Sequence, residues 1–79
     1  MNVKVYTTHW CPYCAHTKRF LNEKNIEFEE INIVTEGMSR EDLEKITGGR
    51  TVPQIVIDDT PIGGYKDLIT LDSEGKFPG

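Results

Sequence analysis

The sequence predicts an α/β domain, a four-stranded mixed sheet flanked by three helices in the order β-α-β-α-β-β-α. Three observations carry this prediction. Apolar or alternating runs at 3–7, 26–33 and 52–57 have strand character. Helix-start signals at Cys11-Pro12 and at Ser39 fall between those runs. A Gly63-Gly64 pair then leads into a third helical pattern. Strands alternating with helices call for a sheet covered by helices, and the first two strands are expected to run parallel through a right-handed crossover.

Each element has its own reason. Val3 and Val5 alternate with polar residues, so 3–7 is a strand with both valines on one face. The helix over 12–24 rests on its start, with Cys11 as N-cap and Pro12 at the first helical position, where a missing N–H costs nothing. Cys14, Phe20 and Leu21 are its apolar residues. The run 26–33 is a second strand, interrupted because Ile26 and Phe28 fall in one register and Ile31 and Ile33 in the other. Ser39-Arg40-Glu41-Asp42 resembles a capping box with Asp in the Glu place, and Met38 can staple to Leu43. Leu43 and Ile46 are expected to form that helix's buried stripe, with Gly48 ending it. The run 52–57 is too apolar for a half-exposed strand and suits one covered on both faces. Asp58-Asp59-Thr60-Pro61 reads as a turn, Ile62 as the start of a short strand, and Leu68, Ile69 and Leu71 as the apolar side of the last helix.

At 79 residues the chain is expected to be one domain spanning 1–79, near the lower size at which a core holds itself together. Its formal net charge of −4 argues against nucleic acid as a partner. No charged segment followed by an apolar one marks a secretory leader, and no apolar stretch approaches membrane-spanning length. A soluble protein of a reducing compartment, the cytoplasm, is expected.

The chemistry is concentrated in Trp10-Cys11-Pro12-Tyr13-Cys14, which holds both cysteines of the chain. A disulfide between thiols so close in sequence closes too small a loop to stabilise much, so its purpose is chemical. A helix N-terminus presents unpaired N–H groups and positive potential, both of which favour a thiolate. A free cysteine with pKa about 8.5 is only roughly 3% thiolate at pH 7, whereas helix N-termini and Cys-x-x-Cys pairs lower that value to about 3.5–7.5. Cys11 at the cap and Cys14 one turn inside make an asymmetric pair, an exposed nucleophile and a shielded partner. A zinc site is disfavoured, because His9 and His16 are the only histidines and lie too near in sequence for an easy tetrahedron. Covalent haem attachment requires His directly after Cys14, where Ala15 stands. Pro53 interrupts an otherwise buried strand, a place proline occupies only at special positions.

Three segments, Cys11-Pro12-Tyr13-Cys14, Thr51-Val52-Pro53 and Gly63-Gly64-Tyr65-Lys66-Asp67-Leu68, resemble the small bacterial glutaredoxins of the dithiol class, at the family's spacing and over nearly the whole chain. The resemblance implies a thioredoxin fold and glutathione-dependent reduction of protein disulfides and glutathione mixed disulfides, with Cys11 as nucleophile and Cys14 as resolving thiol. It implies a cis Pro53 facing the cysteines, leaving the backbone of Val52, next to Thr51, free to pair with an extended thiol peptide. Gly64 and the N–H groups of Tyr65 and Lys66 are then expected to take the γ-glutamyl carboxylate, Asp67 the ammonium, and Arg40 the glycyl carboxylate, with Tyr13 beside the bound peptide. Glutathione is the implied co-substrate and no metal is expected. Disulfide-bonded or glutathionylated proteins, ribonucleotide reductase among them, are the implied partners, with no nucleic acid and no membrane, and a monomer is the default. A potential in the glutaredoxin range, about −200 to −230 mV, is implied.

One departure stands out. Thr8 occupies a place where many relatives carry Lys or Arg, so a cation that assists the thiolate is missing, with Arg50 and Lys18 as candidate substitutes. Two other classes share the motif: a hydrogen donor recharged by thioredoxin reductase, against which Gly63-Gly64 and Asp67 argue, and an iron–sulfur scaffold, against which Pro12 argues by stiffening the loop.

Overall fold

The computed structural model describes residues 2–75, so residues 1 and 76–79 of the expected single domain lie outside the described residues. Its elements are β1 (Val3–Thr7), α1 (Pro12–Glu23), β2 (Glu29–Asn32), α2 (Arg40–Thr47), β3 (Gln54–Ile57), β4 (Thr60–Gly63) and α3 (Tyr65–Ser73). The sheet order is β2-β1-β3-β4, with β1 and β2 parallel and the other two pairings antiparallel. This is the mixed four-stranded sheet with three helices that the element order predicts.

The alternation of β1 and β3 sends side chains to two cores. On one face Val3, Val5 and Ile55 pack with Leu21 of α1, Leu68 of α3 and Ile26. On the other, Tyr6, Val56 and Ile33 pack with Leu43 of α2, and Met38 lies against them. Ile55 is fully buried and Val56 is 7% exposed, so β3 is covered on both sides as its composition requires. Lys24, the residue that caps the C-terminus of α1, bonds from Nζ to Asp72 Oδ1 of α3 at 2.9 Å.

Three local expectations are corrected. The segment 26–33 is strand only over Glu29–Asn32. Ile26 and Phe28 serve the α1/α3 core and Ile31 and Ile33 the α2 core, so the register change marks a change of face. Ile46 is 46% exposed, and Thr47, 9% exposed, shares the buried stripe with Leu43. Both Ile46 and Thr47 lie at helical spacing from Leu43. The inward place goes to Thr47 because its hydroxyl donates to the Leu43 carbonyl (2.9 Å) and accepts the Gly49 N–H (3.2 Å). The turn is Asp58-Asp59 alone, both with positive φ (48° and 67°), the conformation of a two-residue hairpin loop. Thr60 and Pro61 belong to β4, an edge strand where proline's missing N–H breaks no ladder bond.

Ser39 and Asp42 form a reciprocal capping box at α2. The Asp42 N–H donates to Ser39 Oγ and the Ser39 N–H to Asp42 Oδ2, both at 3.0 Å. Those bonds, the Ser39 backbone first, hold the Asp42 carboxyl below its ordinary value. Gly48 ends α2 with φ +82°.

Candidate active site

Cys11 caps α1 as its sequence predicts. Its backbone is extended (φ −147°, ψ 100°), Pro12 follows at the first helical position, and the Cys14 N–H donates to Cys11 Sγ at 3.0 Å. The two cysteines are joined in a disulfide with Cα atoms 5.1 Å apart. Cys14 is 2% exposed and Cys11 half-buried, so only one sulfur is open to attack. Thr17, fully buried one turn further on, donates to the Tyr13 carbonyl at 2.8 Å.

Beside this turn lies a cleft of about 520 Å³. Tyr13 forms one wall, Thr47 to Gly49 and Thr51 to Gln54 form another, and Gly63 to Asp67 close the end. The Val52-Pro53 peptide is cis and Pro53 is buried. Helix α3 comes close to it, since a Cβ on Gly64 would stand 3.4 Å from the Pro53 carbonyl oxygen. Gly63 has φ +106°, and a Cβ there would run into the Asp67 carboxylate. The absence of that atom lets Asp67 fold back and accept the Gly64 N–H at 2.9 Å. The first turn of α3 thus lines the cleft, with the Asp67 carboxylate oriented by its bond to the Gly64 N–H.

The cleft gathers Tyr13, Thr51, Val52, Pro53, Gly64, Tyr65, Lys66 and Asp67 from the sequence-derived candidates. Arg40 is not among its lining residues. The Arg40 guanidinium donates instead to the Arg50 carbonyl at 2.9 Å, bracing the loop that carries Thr51 and Val52. Neither cation named as a substitute for the missing one at Thr8 is unpaired. Arg50 meets Glu44 at 3.2 Å, and Lys18 meets Glu30 at 3.0 Å. Burial works to raise the Glu30 carboxyl, but the Lys18 and Thr7 hydrogen bonds and the Lys18 charge outweigh it and leave it lowered. Lys66 makes no side-chain hydrogen bond or ion pair among the described residues.

Two features escape sequence reasoning. Gln54, 5% exposed, lines the cleft and donates from Nε2 to Thr51 Oγ1 at 3.3 Å. Its amide lies so close to Gly49 that a Cβ there would collide with it. The available signal was one polar residue within the apolar run 52–57. The other is a ring cluster joining α1 to α3, with Tyr13–His16 and Tyr13–Tyr65 centroids 6.1 Å apart and His16–Tyr65 centroids 5.8 Å apart. Among the described residues no three His, Cys, Asp or Glu are placed to hold a metal ion.

A half-buried sulfur at a helix cap, a shielded partner thiol and an adjacent peptide-sized cleft suit thiol–disulfide exchange. Comparison with known proteins agrees. The glutaredoxin family model matches residues 3–62. Glutaredoxin 3 of Escherichia coli K12 is 45% identical over 74 residues, covering 94% of this chain and 89% of that protein. The solution structure of reduced Escherichia coli glutaredoxin superposes with a TM-score of 0.78 at 32% identity, over 94% of this chain and 95% of that one. A buckwheat glutaredoxin–glutathione complex shares the fold with a TM-score of 0.84 at 24% identity, over 94% of this chain and 70% of that one. The sheet and helices are those of the thioredoxin fold, which these glutaredoxins share. This chain belongs to the glutaredoxin family and is a thiol–disulfide oxidoreductase carrying Cys11 and Cys14 as its Cys-x-x-Cys pair.

Proposed function

We propose that this oxidoreductase draws its electrons from glutathione and acts on glutathionylated thiols and protein disulfides, with Cys11 as nucleophile and Cys14 as resolving thiol. The observation that carries the reading is the Cys11 cap two residues before Tyr13, which walls a cleft shared with Val52-Pro53 and Gly64–Asp67. The Cys14 N–H and the N-terminus of α1 favour the Cys11 thiolate over the thiol. The thiolate attacks the glutathione sulfur of a mixed disulfide, forming the Cys11–glutathione bond and expelling the substrate as its thiolate. A second glutathione thiolate then attacks that sulfur, releasing oxidised glutathione and regenerating the Cys11 thiolate. With a protein disulfide, Cys11 attacks one substrate sulfur, breaking the substrate S–S bond and expelling the other sulfur as the first thiolate. Cys14 then loses its proton, attacks Cys11 Sγ and expels the second substrate thiolate, so two electrons pass from the dithiol to the substrate.

In this reading glutathione extends along Val52, whose backbone pairs with its cysteinyl residue. Thr51 flanks that segment and Tyr13 covers it. The N–H groups of Tyr65 and Lys66 receive the γ-glutamyl carboxylate, because a helix N-terminus favours an anion. Gly64 lets the ligand approach, and Asp67 faces the ligand's ammonium. Arg40 reaches the glycyl carboxylate only by leaving the Arg50 carbonyl it now holds. The buckwheat relative was solved with glutathione, which supports the assignment of the cleft. A reducing compartment, the cytoplasm, is the setting that keeps such a dithiol supplied.

The test is reduction of a small glutathione mixed disulfide, run with glutathione and glutathione reductase in one arm and with thioredoxin reductase in another. Turnover in the glutathione arm alone is expected. Turnover in the thioredoxin reductase arm alone would make the protein a dedicated dithiol donor and overturn the reading.

A further inference from the structure

Trp10 is 94% exposed and directly precedes Cys11. It does not line the cleft, and it has no ring, hydrogen-bond or ion-pair partner among the described residues. Tryptophan is highly buried on average, and so large an apolar surface left in water is recovered when a partner covers it. Its position sets what that partner is. A disulfide substrate must bring one sulfur to bonding distance of Cys11 Sγ, so the chain flanking that sulfur lies across the residues flanking Cys11. The neighbourhood also sets the partner's chemistry. From Val5 to Thr17 the sequence contains no Asp, Glu, Lys or Arg, although the chain has 13 acidic and 9 basic residues. Thr8, where a cation was missed, falls inside this uncharged stretch. No side chain along it offers a fixed charge for a charged partner to pair with, and Trp10 with the 54% exposed Tyr13 favours an apolar one.

We propose that Trp10 is the docking residue for polypeptide disulfides that carry an apolar side chain beside the reacting cysteine, and that it takes no part in handling glutathione. The inference rests on the catalytic reading of Cys11 above. Docking precedes chemistry: the apolar side chain covers the Trp10 ring, Cys11 attacks the neighbouring sulfur and expels its partner thiolate, and Cys14 then releases the peptide dithiol with glutathione restoring the enzyme. An aromatic ring is well suited to this, since it offers a large contact area with few torsions to immobilise.

Two synthetic peptides with one intramolecular disulfide, bearing Leu or Asp beside the reacting cysteine, test the proposal alongside a small glutathione mixed disulfide. Trp10→Ala is expected to lower kcat/KM for the Leu peptide by about tenfold or more, the scale of losing an aromatic anchor. It should leave the glutathione mixed disulfide unchanged, and Trp10→Phe should recover most of the loss. Because Trp10 is the only tryptophan, its fluorescence gives a second readout. In a Cys14→Ser protein, the trapped Leu-peptide adduct should shift emission to shorter wavelength and resist iodide quenching, while the glutathione adduct should do neither. Equal losses on all substrates, no loss on the Leu peptide, or unchanged emission in its adduct would overturn the proposal. If the wild type fails only on the glutathione mixed disulfide, the glutathione reading falls, and the emission of the peptide adduct still decides for or against Trp10.

Discussion

Three glycines separate backbone strain from collision and test how the cleft's end is built. At Gly63 an added methyl meets two obstacles. Its φ of +106° is one that L residues rarely adopt, and its Cβ would enter the space of the Asp67 carboxylate. Strain of about 1–3 kcal/mol then adds to the loss of the Asp67–Gly64 capping bond, about 1 kcal/mol. Gly63→Ala should therefore cost about 2–4 kcal/mol. Gly48 has φ +82° but nothing within 4 Å of an added Cβ, so Gly48→Ala should cost the strain alone, about 1–2 kcal/mol. Gly64 has φ −96°, and its added methyl makes only an ordinary 3.4 Å contact with the Pro53 carbonyl. Gly64→Ala should cost below about 1 kcal/mol, the penalty of alanine at an N-cap. Urea denaturation reads all three through the midpoint, where about 1 kcal/mol moves a small domain by up to about 1 M. Gly63→Ala should also raise KM for glutathione, because Asp67 must swing away from the loop. Equal costs at Gly63 and Gly64, or no extra cost at Gly63 over Gly48, would mean that the positive φ and the Asp67 carboxylate do not both constrain Gly63 as described.

Other expectations follow from the packing and charges. Leu43→Ala should destabilise by about 2–5 kcal/mol, while Ile46→Ala stays within about 0.5 kcal/mol; denaturation midpoints that rank them the other way would reinstate Ile46 in the buried stripe. Gln54→Leu removes the bond to Thr51 beneath the rim of the cleft and should raise KM for glutathione several-fold with little change in kcat. An equal fall in kcat would place Gln54 in the chemistry instead. Glu30 is lowered from an ordinary 4.5 in the folded protein, so its contribution is fully present above that value and is lost as the pH falls through the lowered one. The stability gap between wild type and Glu30→Gln should therefore shrink on acidification, and a gap that widens would contradict the assigned pairing with Lys18 and Thr7.

Much of this was legible where the signal is local. The Cys11 cap, the Ser39–Asp42 box and the double cover of β3 each depend on residues within a few positions of one another, and each is found, although β3 starts at Gln54 and leaves Val52 and Pro53 of the run 52–57 before it. Choices between equally spaced residues were not legible. Ile46 and Thr47 both fit the stripe of Leu43, and the loop's need for a hydroxyl, which no hydropathy pattern records, decides between them. Pro61 reads as a turn residue until the sheet order makes β4 an edge. In the site, the three motifs name segments that the fold draws into one cleft, but spacing alone cannot tell what a long side chain will meet. Arg40, which the family resemblance places on the glycyl carboxylate, is held by the Arg50 carbonyl, while Lys18 and Arg50 are each paired with a carboxylate. Gln54 was hidden because a polar residue in an apolar run carries no sign of its partner.

The intact mass of Cys11→Ser and Cys14→Ser proteins after exposure to a glutathionylated peptide decides which thiol is the nucleophile. Cys14→Ser should gain one glutathione on Cys11 and release the peptide as its thiol, whereas Cys11→Ser should gain nothing. An adduct with the peptide in place of glutathione, or a glutathione adduct on Cys14 in the Cys11→Ser protein, would contradict this assignment.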